Sequence, residues 1–381
     1  MELTGNWSFP APVRFGAGRI SEIGDACNAA RINRPLLVTD RGLEEMEITR
    51  RTLDLLQDAG LGRALFAAVD PNPSERNLEE GLRLFRDGGF DGVVAFGGGS
   101  GLDLGKTLAF MAGQSRPVWD FEDVGDWWTR ADPAGIHPIV AVPTTAGTGS
   151  EVGRAGVITN SATHEKKIIF HPKMLPSAVI CDPELTVGLP KAVTAGTGLD
   201  AFAHCVEAFS SPHYHPLCQG IALEGMRLVK EYLPRAHDDG SDIEARAQMM
   251  SAAAMGASAF QKGLGAVHAL SHPIGAHHGT HHGTTNAVCL PAVLEFNAGA
   301  IRTRFDRAAA YLGIDGGFDG FRTFVDSLNE RLGIPRTLTD LGVRNPDIDR
   351  LVTDALRDPS TGGNPVEMTE SNTRALYERL L

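Results

Sequence analysis

Between residues 35 and 183, short apolar runs alternate with helically spaced segments, and this alternation constrains the fold more than any other feature of the chain. Residues 35–40 (PLLVTD), 63–70 (RALFAAVD), 91–100 (DGVVAFGGGS) and 137–145 (HPIVAVPTT) read as strands, and residues 51–60 and 74–89 as helices, with Ser74 placed to cap the second helix. A β-α-β-α-β order predicts a parallel, doubly wound sheet. Residues 153–170 read as two strands around a polar turn, and 177–183 as one more strand. Beyond Leu189-Pro190 the texture changes to alanine-rich helical patterns over 191–210, 216–235 and 242–262, and helical segments continue to the C-terminus. With 381 residues there is chain enough for two cores. The expected organisation is an α/β dinucleotide-binding domain over residues 1–187 and an all-helical domain over residues 188–381.

In such a sheet, ligands sit at the carboxyl ends of the strands. Gly97, Gly98, Gly99 and Ser100 fall there, followed by a helix bearing Asp103 and Lys106. Consecutive glycines let backbone N–H groups approach phosphate, and a helix N-terminus favours negative charge. Taken alone, the motif reads equally well as a tight strand-to-helix turn. A second turn, PTTAGTGS (143–150), offers hydroxyls and amides suited to a pyrophosphate or ribose. Asp40 ends a strand where a carboxylate can accept from an adenosine ribose and repel a 2′-phosphate, although a lone aspartate there also suits a cap. The usual GxGxxG fingerprint is absent. SGLDLGKT (100–107) fails as a P-loop because Ser100 stands where the first glycine is required. No GxSxG marks a nucleophile elbow.

Six of the thirteen histidines crowd into residues 265–291, at positions 268, 272, 277, 278, 281 and 282. Upstream, Asp200 and His204 lie four apart in a helical pattern, which puts them on one face. His268 and His272 repeat the relation. With a further imidazole from the His281-His282-Gly283 turn, one carboxylate and three imidazoles make a set suited to Fe(II) or Zn(II), able to act as a Lewis acid. Plainer readings exist for each residue: a helix cap for Asp200, a core histidine for His204, and a solvated face for His277 and His278.

The net charge of −12 argues against nucleic acid or an anionic membrane as a partner. No apolar run has the length of a membrane span. The opening MELTGNWSFPAP lacks the basic and apolar regions of a secretory leader. Five scattered cysteines without a CxxC pair fit a reducing compartment, so a cytoplasmic protein is expected.

Together these motifs resemble those of the iron-dependent (group III) alcohol dehydrogenases. GGGSGLDLGK matches the family's GGGSxxDxxK; PTTAGTGSEV, DAFAHCVE and the GxxHxxxHPxGxxxxxxHGxxNAxxLP pattern follow in family order, from FGAG at 15–18 to TGGNP at 361–365. The resemblance implies the dehydroquinate synthase-like fold of that family, with one divalent metal between its two domains, Fe(II) expected and Zn(II) the alternative. It implies Asp200, His204, His268 and His282 as metal ligands, and His272 as a non-ligand histidine suited to relay a proton. Asp40, Asn72, Gly97, Gly98, Gly99, Ser100, Asp103, Thr144, Thr145, Thr148 and Lys166 fall where similar proteins contact the nicotinamide cofactor. NAD is expected over NADP, because of Asp40. The implied activity is reversible hydride transfer between a primary alcohol, or its aldehyde, and NAD, in a homodimer or larger homo-oligomer. Two departures stand out. His281 replaces the proline of the family's Pro-His-Gly and could compete as a ligand, and Val366 stands where the family carries arginine. The rival readings are a maleylacetate-type reductase or a dehydroquinate-synthase-like lyase on the same fold, and a non-catalytic metal-binding protein.

Overall fold

The computed structural model describes residues 11–163 and 165–381. The leaderless reading of the N-terminus rests mostly on residues outside that range. The described chain divides into two compact units, one of residues 11–145 and 149–188 and the other of residues 146–148 and 189–381.

In the first unit the elements run β1 (Val13–Phe15), α1 (Ile23–Ala29), β2 (Pro35–Asp40), α2 (Glu47–Asp58), β3 (Leu65–Val69), α3 (Glu75–Gly88), β4 (Gly92–Gly97), α4 (Gly99–Met111), β5 (Ile139–Pro143), β6 (Ala155–Thr159), β7 (Lys166–Phe170) and β8 (Ala178–Cys181). Six strands form one parallel sheet in the order β1-β8-β5-β4-β2-β3, while β6 and β7 pair antiparallel as a separate ribbon. β2, β4 and β5 are apolar without alternation because helices cover both faces of a parallel sheet. Val94, Phe96, Val140, Val142 and Ile180 pack with Ile20, Ile23, Leu53 and Leu56 on one side. The chain leaves β2 outward to β3 and then returns to build β4 and β5 on the other side, so the topological switch lies between β2 and β4. That is where an open α/β sheet gathers ligands. Ser74 caps α3 in a reciprocal capping box with Asn77, as its position predicts. β1, three residues at the sheet edge, has no counterpart in the sequence reading, so Asp40 ends the second strand rather than the first.

The second unit is helical: α5 (Lys191–Ser210), α6 (Pro216–Asp238), α7 (Ile243–Ala259), α8 (Ala266–His278), α9 (His282–Tyr311), α10 (Gly317–Arg331), α11 (Ile348–Arg357) and α12 (Glu370–Leu380). α5 is small and apolar on every side, and it is buried along nearly all its length against α6, α7 and α9. Its last carbonyls would be orphaned in that interior. Two cations take them: Lys262 Nζ donates to Ala208 O at 2.9 Å and also to Ser211 O, and Arg304 Nη1 donates to Phe209 O, Ser210 O and Ser211 O at 2.6, 2.9 and 2.8 Å. Positive charge at this end also complements the helix dipole. The His281-His282-Gly283 segment is not a free turn. His281 is the N-cap of α9 and His282 its first residue.

Candidate metal centre and nucleotide loops

In the helical unit, α5 presents Asp200 and His204 one turn apart, α8 presents His268 and α9 presents His282. All three imidazoles aim Nε2 at one oxygen, Asp200 Oδ1, from 3.8 Å (His204), 3.7 Å (His268) and 3.4 Å (His282). Donors held about 2.1 Å from a tetrahedral ion stand about 3.4 Å from one another, so this spacing fits a divalent cation. Asp200, His204 and His268 are fully enclosed, and their ligand atoms lie within 4.8 Å of one another. Burial works against the charge on Asp200, but His204, His282 and His268 hold its carboxyl well below the ordinary range. Burial also pushes His204 down to about 4, leaving it neutral, as a ligand must be. Among the described residues His204 Nδ1 is buried without a partner.

Two side chains that the sequence reading passed over hold this set in place. Glu207, one turn beyond His204, accepts from His268 Nδ1 at 2.5 Å and from Val267 N at 2.7 Å. Burial opposes charge on His268, but Glu207 and Asp200 on its two sides raise it to about 10, so an ion bound at Nε2 would displace a proton there. Asn286, one turn into α9 from His282, donates through Nδ2 to Asp200 Oδ1 at 2.7 Å and lies 3.2 Å from Nε2 of both His268 and His282. Both residues stand inside the quoted motifs, DAFAHCVE and HGxxNA, at helical spacing from a ligand, and that spacing was the available signal. Carboxylates that orient a ligating histidine typically change metal affinity 10–100-fold when lost. Glu207→Gln is therefore expected to raise the dissociation constant for the ion by about that factor while the fold survives. Metal titration followed by isothermal calorimetry measures it, and unchanged affinity would count against the role.

His281 serves as the cap of α9. Its Nδ1 meets Thr284 N and Oγ1 at 3.3 and 3.0 Å as a helix cap, with the ring against Gly196. His272, on the face of α8 shared with His268, bonds Asp358 instead, through Nδ1 at 2.7 Å. His277 Nε2 pairs with Asp354 at 2.8 Å. The segment with Val366 in place of arginine is tied through its backbone, Asn364 Nδ2 donating to Val366 O at 2.7 Å and to Asn297 Oδ1 at 2.9 Å.

In the α/β unit, Asp40, Gly97, Gly98, Ser100, Thr144 and Thr145 of the expected cofactor set lie about the switch between β2 and β4. Gly97 closes β4 at φ 141°, a conformation open to glycine, and Gly98 precedes α4 as its N-cap. Asp40 closes β2. Its Oδ1 accepts from Leu43 N at 3.2 Å, and its Oδ2 lies 3.5 Å from where a Cβ on Gly97 would stand. Burial raises the Asp40 carboxyl, against the pull of the Gly42 and Leu43 amides. Ser100 Oγ donates to Pro71 O at 2.6 Å, drawing the loop of exposed Asn72 to the glycine turn. Thr144 N donates to Gly97 O at 2.9 Å, and Thr145 lies against Gly98. Asp103 has its carboxylate engaged from within the unit, by Ser150 Oγ at 2.5 Å and Val157 N at 3.1 Å. Lys166 opens β7, and Thr148 groups with the helical unit.

Residues 10–183 match the family described as iron-containing alcohol dehydrogenase, and residues 194–381 match the C-terminal part of the Fe-containing alcohol dehydrogenase family. The chain is 40% identical to a 4-hydroxybutyrate dehydrogenase of Cupriavidus necator, over 96% of this chain and 97% of that protein. Its structure is similar to that of a 1,3-propanediol oxidoreductase, with a TM-score of 0.94 at 35% identity, covering 99% and 100% of the two chains. It is also similar to a sulfoacetaldehyde reductase from Bifidobacterium kashiwanohense solved in complex with NAD+, with a TM-score of 0.90 at 31% identity over 100% and 99%.

Proposed function

Because the chain belongs to the iron-containing alcohol dehydrogenase family, we propose that Asp200, His204, His268 and His282 hold one divalent ion, while the loops ending β2, β4 and β5 hold NAD, for the reversible interconversion of a primary alcohol and its aldehyde. The protein is an oxidoreductase of the alcohol dehydrogenase class. The observation that carries the reading is the convergence of three imidazole Nε2 atoms on one buried carboxylate oxygen. The donors are nitrogen and oxygen, which suits Fe(II) and also accommodates Zn(II). An ion in this set supplies Lewis acidity toward the substrate oxygen, and NAD supplies the hydride acceptor.

The remaining work falls to the chain itself. Asp200 contributes the one negative charge among the four donors. Glu207 and Asn286 fix the ring planes and the carboxylate orientation. Gly97, Gly98, Gly99, Ser100, Thr144, Thr145 and Thr148 offer amides and hydroxyls to the pyrophosphate and ribose. Asn72, Asp103 and Lys166 complete the cofactor set, and His272 relays the proton. These roles divide between an α/β domain, 1–187, and a helical domain, 188–381. No helix among the described residues is long and apolar enough to cross a membrane. We place the enzyme in the cytoplasm, acting on small molecules as a homodimer or larger homo-oligomer, with no nucleic-acid or membrane partner.

The test is a panel of short primary alcohols and their aldehydes, including 1,3-propanediol and 4-hydroxybutyrate, assayed for NAD reduction or NADH oxidation after defined Fe(II) or Zn(II) loading. A lyase would leave the nicotinamide redox state unchanged at the end of turnover. A metal-sequestering protein would bind the ion without enhancing NADH fluorescence. Either outcome overturns the reading. Asp40 carries the cofactor preference. A carboxylate facing a 2′-phosphate at a few ångströms costs about 1–4 kcal/mol. Asp40→Ala is therefore expected to raise kcat/KM for NADP relative to NAD by about ten- to several-hundredfold. A wild-type preference for NADP would refute the assignment.

A further inference from the structure

We propose that Asp358 is the positioning residue that fixes the tautomer of His272, so that the neutral ring presents Nε2 as the acceptor for the proton of the substrate hydroxyl. The inference rests on the alcohol dehydrogenase reading and adds a residue that none of the sequence motifs contains, 86 positions from the histidine it serves.

The geometry is specific. Asp358 caps the short turn Pro359–Gly363, and its Oδ1 accepts from Ser360 N at 2.8 Å. That bond fixes the carboxylate and leaves Oδ2 for the imidazole, 2.7 Å from Nδ1. Both carboxylate oxygens of Asp358 are thus set against N–H donors, which favours the ionised form. An ionised carboxylate only accepts, so Nδ1 carries a proton, and in the neutral ring Nε2 carries the lone pair. The ring plane is clamped as well: His272 stacks on His282 at 5.3 Å and 15°, and meets His268 edge-on at 5.6 Å. His268 is built with the same polarity, with Nδ1 on a carboxylate and Nε2 turned to the metal donors. His277 on the same helix has the opposite polarity, its Nε2 being the atom bound to Asp354. The orientation of His272 is therefore a property of its partner and not of the helix.

In the oxidation direction the alcohol O–H bond breaks and an N–H bond forms at His272 Nε2. Bound NAD+ would supply the hydride acceptor, so that the balance closes on aldehyde, NADH and an imidazolium. Asp358 then offsets the imidazolium charge, as the carboxylate does in a Ser-His-Asp triad.

Asp358→Asn separates this role from a structural one. Asparagine caps a helical turn about as well as aspartate. Its amide, however, donates to Nδ1 and drives the ring proton onto Nε2. The expected result is a fall in kcat of about 10²–10⁴-fold, the usual range for a lost general base, with KM for NAD and bound metal unchanged. In a His272→Ala background, Asp358→Asn should cost nothing further. Imidazole 15N shifts of the metal-loaded protein should show His272 protonated at Nδ1 in the wild type and at Nε2 in the variant. This readout needs no turnover. Asp358→Ser keeps a capping oxygen but withdraws the partner from Nδ1, so its kcat should lie between wild type and Asp358→Asn, and it provides the same test if the asparagine variant does not fold. Wild-type kcat in either variant, a full multiplicative loss on top of His272→Ala, or an Nε2-protonated wild type overturns the proposal. A wild-type protein inactive on every alcohol overturns the alcohol dehydrogenase reading instead.

Discussion

Asp200→Ala should purify folded, carry no stoichiometric divalent ion and reduce NAD with primary alcohols at least about 10³-fold more slowly than the wild type. Three imidazoles remain in that variant, and the one anion on which they converge at 3.4–3.8 Å is gone. A Lewis acid contributes several kcal/mol of transition-state stabilisation, and each 1.36 kcal/mol is about tenfold in rate. Because the alanine also removes the acceptor of Asn286 Nδ2, Asp200→Asn is the gentler companion. It is expected to lose the ion as well while keeping the volume. Metal analysis by mass spectrometry, read beside kcat, checks both. NADH fluorescence enhancement should persist, since Asp200 lies in the helical unit and the glycine turns in the other. Full activity in protein verified to be metal-free would remove the basis for the proposed function.

The second large effect is expected where no side chain does chemistry. Gly283 follows His282 on α9, and a Cβ there would stand 2.1 Å from Gly196 O, 2.7 Å from Gly196 C and 3.0 Å from Asp200 Cβ. The obstacle is backbone, which no rotamer change can clear. Gly283→Ala must push α9 off α5 beside two of the proposed ligands. Overpacking of this kind costs about 1–3 kcal/mol, and for a unit of this size each kcal/mol lowers Tm by about 2–4 °C. The loss should be accompanied by weaker metal binding, because the displacement separates His282 from Asp200. Gly299→Ala on the same helix is the control. Its Cβ would meet nothing within 4 Å, and it lies on an exposed face. Alanine there should be neutral or stabilising by about 0.5–1 kcal/mol. Equal Tm shifts in the two variants would refute the close-packing argument.

Much of this architecture is readable in the residues themselves. Consecutive β-branched positions mark β2, β4 and β5, and the alanine-rich 191–210 segment coincides with α5. The i, i+4 relation of Asp200 and His204 places both on one helix face in the fold. What the sequence leaves open is set by contacts distant along the chain. β1 has three residues, and its pairing with β8 spans most of the α/β unit. The proposed choice of His282 over His281 turns on where α9 starts, since the residue before the first helical turn is spent on the cap. Asp358 shows no pattern at all, because its role appears only when α11 packs beside α8. Asp103 is the reverse case. It stands in a recognised motif, and besides its proposed place in the cofactor set its carboxylate ties α4 to Ser150 and to Val157 of β6.

The enclosure of α5 sets how an ion can come and go. A helix surrounded by α6, α7 and α9, with its final carbonyls held by Lys262 and Arg304, opens only when its whole unit opens. On the proposed ligand set, Asp200 and His204 therefore form the fixed half of a chelate. His282 sits at the first turn of α9, the most solvent-accessible of the four donors. Fraying of that one turn is enough to loosen the coordination shell. Exchange at the proposed centre is then expected as a local event at a helix end, separate from opening of the whole unit.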